Sequence, residues 1–348
     1  MPEKKNPYSL IFGKEPKQMI ARSSPVAEVI ETFCEEEPSQ QVFMITGVRG
    51  SGKTVLMTEI TKEIQKHSEW IVAELNPEND LLAGLAAKLS GENSLATIFK
   101  NAKINLSFFG LGLEIEGVAP IRDIETALVK MIESLKKHHK KLLISIDEAA
   151  NTKEMRIFAG AFQIFIRRDL PVFLLMTGLY ENINVLQNEK HLTFLYRAPK
   201  LEIKSLNIRA IADNYKRNFS IEDGKALKMA KLTKGYSFAF QVMGYYVWEM
   251  SGNLEKALPE VRRHLEDYVY EKVWSGLSEG DKRVAYGIAC SKNGKISEVR
   301  EILGIETNEF NPYRKRLIRS GLINGDERGY VSFTLPMFEM FVKDNYTD

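Results

Sequence analysis

The sequence predicts an α/β fold: a doubly wound parallel sheet, followed by a helical region and a winged helix-turn-helix. Three observations predict it. Short apolar runs alternate with amphipathic stretches between residues 41 and 206, strand patterns stop after about 207, and a hairpin pattern returns at 322–335. Runs that are apolar on both faces are typical of buried parallel strands. Their alternation with helical segments predicts right-handed strand-helix-strand units.

The first predicted domain covers residues 1–206. Its expected strands are QVFMITG (41–47), WIVAELN (70–76), KLLISIDE (141–148), VFLLMTG (172–178) and LEIKSL (201–206). Between about 91 and 120, two short alternating runs flank Phe109-Gly110-Leu111-Gly112. This pattern predicts a β-hairpin inserted into the α/β framework.

Two smaller domains are predicted after the sheet. Helical periodicity over 207–276 predicts an α-helical domain. Over 277–348 the pattern is three short helices and then a hairpin that turns at Asn324-Gly325-Asp326-Glu327. Three helices followed by a two-stranded wing form a winged helix-turn-helix.

The composition limits the classes of partner. The 348 residues include 48 Lys plus Arg and 46 Asp plus Glu, a formal charge of +2. No global field would draw the protein to nucleic acid or anionic lipid, so such a partner requires a local patch. Two cysteines, Cys34 and Cys290, exclude a disulfide framework and favour a cytoplasmic protein. No segment has the length and apolar character of a membrane span, and we expect no membrane association.

The sequence GVRGSGKT at 47–54 fits the pattern of a phosphate-binding loop, with an apolar strand before it and a helical pattern after it. Backbone N–H groups of such a loop bind phosphate oxygens, the lysine reaches the β- and γ-phosphates, and the hydroxyl reaches Mg²⁺. The predicted ligands are ATP and Mg²⁺. The expected binding residues are Gly47, Val48, Arg49, Gly50, Ser51, Gly52, Lys53, Thr54 and Val55.

Acidic and hydroxyl side chains end the later strands. Asp147 is expected to hold Mg²⁺ together with Thr54, and Glu148 to act as the general base for the attacking water. A helix cap is the alternative for Asp147, and an exposed acid in a first helical turn is the alternative for Glu148. Thr177 ends the next strand, where its hydroxyl would meet the γ-phosphate or the water. Its alternative is strand propensity alone.

Together, GVRGSGKT, LLISIDEA and LLMTG, followed by a helical region and a winged helix, resemble the P-loop NTPases of the AAA+ class, of the origin-recognition type, and the related STAND and archaeal-type ATPases. FGKEPKQM (12–19) is similar to the Gly-Arg-Glu element that precedes the loop in that group, with Lys14 in place of arginine. The resemblance implies an ATP-hydrolysing core, a helical lid and often a homo-oligomer that assembles with ATP. By it, Thr177 is the first sensor.

The lid segment departs from that pattern, and the arginine that would act on a neighbouring subunit is not decided. The lid segment YSFAFQVMG after Gly235 has no arginine where AAA+ motors keep a second sensor, which is closer to STAND and archaeal-type ATPases. Candidates for an arginine that reaches a neighbour's nucleotide are Arg167, Arg168 and Arg197, with surface ion pairs as the alternative for each.

The partner of the winged helix is the second open question. Its third helix carries Arg314, Lys315, Arg316 and Arg319, which could enter the major groove of double-stranded DNA. However, residues 277–348 contain 11 Lys plus Arg and 11 Asp plus Glu, a net charge of zero. A signalling ATPase whose winged helix binds protein is therefore the alternative, and a small-molecule phosphotransferase is a third possibility.

Overall fold

A computed structural model describes residues 5–11, 15–189 and 192–347. Phe12, Gly13 and Lys14, the start of the element that resembles Gly-Arg-Glu, lie outside the described residues. The chain forms two compact units. The sheet unit comprises Ser23–Thr46 and Lys53–Glu202, and the helical unit comprises the segment before Ser23, Gly47–Gly52 and the chain from Ile203 onward.

The sheet unit is built on five parallel strands, which confirms the predicted α/β class. The order across the sheet is β2-β3-β4-β1-β5. The strands are β1 Val42–Thr46, β2 Trp70–Leu75, β3 Lys141–Ile146, β4 Val172–Gly178 and β5 Lys200–Glu202. The helices are α1 Ser23–Cys34, α2 Lys53–Gln65, α3 Leu81–Gly91, α4 Asn93–Asn101, α5 Ile124–Lys137, α6 Lys153–Arg167, α7 Tyr180–Gln187 and α8 Thr193–Tyr196.

Apolar side chains on both faces hold the central strands in place. In β1, β3 and β4 alternate residues point to opposite faces, so each strand contributes to two packed layers. Met44, Ile144 and Leu174 lie in the large core cluster of the sheet unit. On the other face, the Phe173 ring lies 5.0 Å from that of Phe33 and 4.8 Å from that of Trp70. The strands that precede the predicted site residues are therefore packed on both faces.

The direction in which the chain adds strands to the sheet reverses next to β1. The chain leaves β1 for the far edge strand β2, and it later returns through β4 to β5 on the other side of β1. In open α/β sheets, ligands bind beyond the carboxyl ends of strands at such a reversal. The predicted phosphate-binding loop follows β1 at this place in the topology.

The predicted hairpin at 91–120 is wrong. The chain instead forms α4, whose Leu95 and Phe99, four residues apart on one helical face, are buried in the core. A 3-10 turn, Ser107–Phe109, follows, and Gly110 and Gly112 adopt positive φ. The Asn105 amide donates to the carbonyls of Ile115 and Val118, at 3.4 and 2.7 Å, and the Leu106 N–H donates to the Leu113 carbonyl at 2.7 Å. Side-chain and scattered backbone hydrogen bonds therefore join this segment without a strand ladder.

The helical unit contains the predicted lid and winged-helix elements. The elements of the lid region are α9 Ile208–Phe219, α10 Asp223–Leu232, α11 Ser237–Glu249, α12 Leu254–Leu265, a π-helical turn Glu266–Tyr270 and α13 Glu271–Ser275. The remainder comprises α14 Glu279–Cys290, α15 Ile296–Leu303, α16 Thr307–Arg319, β6 Ile323–Asn324, β7 Ser332–Phe333 and α17 Phe338–Asn345. Three helices and an antiparallel hairpin follow the order of a winged helix. The predicted domain boundary at 276 stays a prediction.

The segment before the sheet unit packs into the lid region. Tyr8 is buried, its ring stacks on Phe219 at 5.7 Å, and its hydroxyl donates to the Asn214 side chain at 2.8 Å. Gly244 on α11 allows this close approach, since a Cβ atom there would lie 2.4 Å from the Tyr8 ring. The two elements, more than 200 residues apart in the chain, thus form one core.

We predict that Phe99→Ala lowers the free energy of unfolding by about 3–5 kcal/mol, because it leaves a cavity under α4. The exposed Phe108 provides the matched control, and Phe108→Ala should change stability by no more than about 0.5 kcal/mol. Denaturant unfolding followed by circular dichroism measures both. Equal losses in the two variants would contradict the assignment of 93–101 as a buried helix.

Candidate functional site

The loop between β1 and α2 has the backbone shape of an anion-binding turn. Gly50 and Gly52 adopt φ of 74° and 95°, a backbone conformation that residues other than glycine rarely adopt. The Ser51 N–H donates to the Val48 carbonyl at 3.2 Å and closes a tight turn. Helix α2 then begins at Lys53, so its first N–H groups, which have no carbonyl acceptor within the helix, and its dipole favour an anion at that end.

The carbonyl groups of the loop are bound by residues that the motif does not include. The Tyr236 hydroxyl donates to the Arg49 carbonyl at 2.6 Å, and the Phe238 N–H donates to the Gly50 carbonyl at 3.2 Å. The Ser51 carbonyl accepts from the Ser237 hydroxyl at 2.8 Å and from Arg22 Nη2 at 3.0 Å. Sequence reasoning missed these contacts, because no spacing rule joins residue 22 or 236 to the loop.

The Ser51 side chain gives a second indication of a ligand. It is 6% exposed, and its hydroxyl oxygen lacks a hydrogen-bond partner within the described part of the chain. Buried polar groups are normally hydrogen-bonded, so an unpaired one calls for an explanation. A phosphate oxygen held in the loop would supply the missing partner.

Asp147 brings together three of the predicted residues. Its Oδ2 accepts a hydrogen bond from Thr54 Oγ1 at 2.8 Å, and its Oδ1 accepts one from the Thr177 hydroxyl. The β3 to β4 register pairs Ile146 with Met176, which sets the next residue of each strand, Asp147 and Thr177, side by side. The Asp147 carboxylate therefore joins the ends of two strands to the start of α2, and it caps no helix.

Thr177 is fully buried, and its hydroxyl forms hydrogen bonds with both acidic residues. It donates to Asp147 and accepts from the Glu148 N–H at 3.2 Å. A hydroxyl has one donor, so that donor is committed to the carboxylate. The residue thus has a role beyond strand propensity, and that role is to position Asp147 and Glu148.

Glu148 lies in a turn rather than in a helix. Its φ is 55°, a left-handed conformation that is uncommon for a residue with a side chain. Its N–H is held by Asp147 Oδ1 at 3.1 Å and by Thr177, while its side chain is exposed. Helix α6 begins only at Lys153, with Thr152 as its cap, so the alternative of an acid in a first helical turn does not apply.

An open cleft of about 560 Å³ lies beside these carboxylates. Its walls come from the sheet unit, from the end of β2, the start of α3, and the turn after β3. Glu78 and Lys88 line it together with Asp147 and Glu148. The cleft leaves space for a water molecule or a ligand next to Glu148.

Thr54 and Asp147 fit Mg²⁺ chemically. Both offer oxygen atoms, the kind of ligand that this ion prefers, and Mg²⁺ typically takes one or two carboxylates and completes its shell with water and phosphate. Within the described ranges, no three histidine, cysteine or acidic residues cluster as a complete protein cage. The residues present therefore suit an ion that is shared with a phosphate ligand.

The remaining predicted loop residues follow the same segment. Lys53 and Val55 lie in the first turn of α2 and are half-buried, as are Gly47, Val48 and Arg49 in the loop. Gly47 passes close to Ser51, whose hydroxyl oxygen would lie 2.7 Å from a Cβ atom at residue 47. These positions agree with a loop that wraps a small anion through its backbone.

Arg167, Arg168 and Arg197, the three arginine candidates, are exposed. Arg168 forms an ion pair with Glu133 at 3.6 Å, as expected for the surface alternative. Arg167 ends α6, and Arg197 follows α8. The structure assigns no nucleotide role to any of them.

On α16 the four basic residues differ in their surroundings. Arg316 Nε binds both Asp281 carboxylate oxygens at 2.9 Å, and its Nη2 donates to the Ser278 hydroxyl at 2.9 Å. Arg314 Nε is buried, and a Cβ atom at Gly325 would lie 3.0 Å from Arg314 Nη2. Lys315 and Arg319 are exposed. Arg316 is thus paired within the domain although its side chain is 49% exposed, and Arg314 is half-buried.

Two protein-family models match parts of the chain. Residues 27–195 match the family described as "ATPase domain predominantly from Archaea", and residues 267–342 match a domain of unknown function. A search of curated proteins gave no match. No helix in the described ranges is long and apolar enough to cross a membrane.

Two solved structures share the fold over nearly the whole chain. The Walker-type ATPase of Pyrococcus abyssi is 16% identical, with 93% of this chain and 96% of that chain covered and a TM-score of 0.65. The Aeropyrum pernix ORC2 protein, in its ADPNP-ADP complexes, is 15% identical, with 96% of both chains covered and a TM-score of 0.58. At this identity the likeness concerns the fold.

We predict that Thr177→Val destabilises the protein by about 1–3 kcal/mol, because a nearly isosteric side chain leaves Asp147 and the Glu148 N–H without their shared partner. Thr177→Ser keeps the hydroxyl and is the matched control, with a smaller loss from the missing methyl group. Thermal and denaturant unfolding measure the difference. If valine were tolerated as well as serine, the positioning role of Thr177 would be wrong.

Proposed function

We propose that this chain, which carries an archaeal-type ATPase domain over residues 27–195, binds ATP with Mg²⁺ and hydrolyses it to switch between two states. The observation that carries the proposal is the cluster of Thr54, Asp147 and Thr177. It sets an oxygen ligand pair for Mg²⁺ directly after the phosphate-binding loop, beside a cleft that Glu148 lines.

The binding roles follow from charge and geometry. Loop N–H groups and the start of α2 would bind the phosphates, and Lys53 would neutralise charge on the β- and γ-phosphates. Thr54 and Asp147 would hold Mg²⁺, which supplies Lewis-acid stabilisation of the phosphate oxygens when bound. The backbone thus provides much of the binding without adding formal charge.

Glu148 is the proposed general base. Its carboxylate would accept a proton from a water molecule in the cleft as the water oxygen attacks the γ-phosphorus, and the bond to the ADP oxygen would break. Its main chain is fixed at two points by Asp147 and Thr177, while the side chain reaches solvent. That combination restricts the position of the base and leaves water access to it.

Thr177 would act through these residues rather than on the phosphate. Its single donor is committed to Asp147, so we assign it a positioning role in place of direct contact with the γ-phosphate. Assembly into an ATP-dependent homo-oligomer, in which Arg167, Arg168 or Arg197 reaches a neighbour, stays a prediction, as does a cytoplasmic location. Light scattering with and without ATP and Mg²⁺ tests the assembly.

For the winged helix, the contacts favour a protein partner over DNA. Arg316 is held by Asp281, and the turn of the hairpin that would approach phosphates as a wing carries two acids, Asp326 and Glu327, and one base, Arg328. Acidic side chains there would repel a phosphate backbone, on which most DNA affinity depends. The region would then be an interaction module that responds to the nucleotide state of the ATPase domain.

We predict that Lys53→Ala weakens ATP binding by about tenfold to a hundredfold, since a charged hydrogen-bond donor to phosphate is lost. Lys62→Ala, an exposed lysine on the same helix, is the control. Isothermal titration with ATP and Mg²⁺ measures both affinities. An unchanged affinity in Lys53→Ala would rule out this phosphate role.

We predict that Glu148→Gln lowers kcat by about 10²- to 10⁴-fold and leaves ATP affinity nearly unchanged, because it removes a base that binds no phosphate. Glu78→Gln changes an acid across the same cleft and should retain the parent kcat. Steady-state phosphate release gives the rates. A Glu148→Gln protein that turns over at the parent rate would exclude the assignment.

The DNA alternative makes a separate prediction. If α16 bound phosphates through Lys315 and Arg319, replacing both by alanine would reduce the slope of log affinity against log salt by about 2. We instead expect binding to a DNA duplex that is weak in the parent and unaffected by the double variant. Fluorescence anisotropy over a salt series decides between the two outcomes.

A further inference from the structure

We propose that Tyr236 and Ser237, at the start of α11, are positioning residues that hold the phosphate-binding loop in its binding shape. The inference rests on the proposed function and deepens it. It is carried by hydrogen bonds to three consecutive loop carbonyls, those of Arg49, Gly50 and Ser51. All of these groups belong to the helical unit.

The geometry of the peptide bond explains why carbonyl contacts matter for a phosphate site. In a trans peptide, the C=O of one residue and the N–H of the next point in opposite directions. Fixing the carbonyls of Arg49 and Ser51 against α11 therefore turns the N–H groups of Gly50 and Gly52 the other way. Those N–H groups are the ones that a phosphate would use.

The contact also draws on the free end of a helix. The N–H of Phe238 lies in the first turn of α11, where no carbonyl of the same helix is available, and it donates to the Gly50 carbonyl. One N–H donor that has no acceptor within α11 is thus hydrogen-bonded to a loop carbonyl. Loop shape and the position of α11 are coupled through the backbone.

Arg22 connects the same point to two other segments. Its Nη2 donates to the Ser51 carbonyl and, at 2.8 Å, to the Ser237 hydroxyl, while Nη1 donates to the Lys204 carbonyl at 2.6 Å. Ser237 therefore lies between a cation and the loop. Loss of its hydroxyl breaks both contacts at once.

Close packing makes the Tyr236 contact specific. A Cβ atom at Gly50 would lie 2.1 Å from the Tyr236 hydroxyl oxygen, so the ring seats directly on the loop backbone. Tyr236 is buried, and burial raises the pKa of its hydroxyl well above the ordinary range, which keeps it a donor. Helix α11 contains no arginine, so these neutral groups provide its contacts with the loop.

A residue that positions the loop should change affinity and leave the chemical step unchanged. Tyr236→Phe removes one hydroxyl, and Ser237→Ala removes another, and neither touches Asp147 or Glu148. We expect Tyr236→Phe to weaken ATP binding about fivefold to thirtyfold, the effect of one unpaired buried carbonyl. Ser237→Ala should weaken it about twofold to tenfold, since the Ser51 carbonyl keeps its hydrogen bond from Arg22. In both variants KM should rise while kcat at saturation stays within about twofold.

The experiment compares the full-length parent with Tyr236→Phe, Ser237→Ala and two controls. Tyr245→Phe is the same substitution later in α11, and Ser237→Thr retains a hydroxyl at the contact. Titration calorimetry gives ATP affinity, and phosphate release gives KM and kcat. Hydrogen-deuterium exchange of peptides covering 47–54 and 236–242, without nucleotide, reports the loop contact itself. If Tyr236→Phe does not fold, Ser237→Ala carries the same comparison.

Faster exchange of both peptides, together with the affinity loss and parental values in the controls, supports the proposal. Parental exchange and affinity in Tyr236→Phe and Ser237→Ala would overturn it, as would a fall in kcat with KM unchanged. A parent protein that binds no ATP would instead reject the proposed function. The exchange rates would still show whether the two side chains hold the loop.

Discussion

The carboxylate of Asp147 is the interaction on which the rest of the candidate site depends. It accepts hydrogen bonds from Thr54 and Thr177, and it helps to fix the backbone of Glu148. Each contact comes from a different element, yet all meet because parallel strands end at one edge of the sheet. Because both carboxylate oxygens accept hydrogen bonds, the protein itself fixes the position of the oxygen atoms that are proposed to hold Mg²⁺.

Much of this arrangement could be predicted from the sequence because it depends on local patterns. Apolar runs located the four longer strands, and the spacing of GVRGSGKT located the loop and the start of α2 at Lys53. The fifth strand is shorter than expected, Lys200–Glu202, since the chain then leaves the sheet and Leu206 binds the Gly235 carbonyl. Strand ends depend on tertiary contacts, which a local pattern does not contain.

The wrong hairpin prediction and the contacts that were not predicted have the same cause, which is their dependence on tertiary structure. The alternation in KINLSFFGLGLEIEGVAP (103–120) suggested strands, but its glycines belong to a loop that follows a 3-10 turn. Before it, the buried Leu95 and Phe99 are four residues apart and follow the helical period. The Arg316 pair with Asp281 spans 35 residues, and the contacts of Tyr236 and Ser237 with the loop span about 186. Such pairs connect residues that no motif relates, and only the folded chain reveals them.

The two side chains that donate to the Ser51 carbonyl, those of Arg22 and Ser237, have a consequence for the order in which the chain is made. Every residue of the phosphate-binding motif has been synthesised by residue 54, but Ser237 emerges some 180 residues later. Until then, the Arg49 and Gly50 carbonyls lack their donors from Tyr236 and Phe238, while the Ser51 carbonyl can already accept from Arg22, which precedes the loop in the chain. If the proposed phosphate site forms, its loop therefore gains its last hydrogen bonds only after the start of α11 has been synthesised.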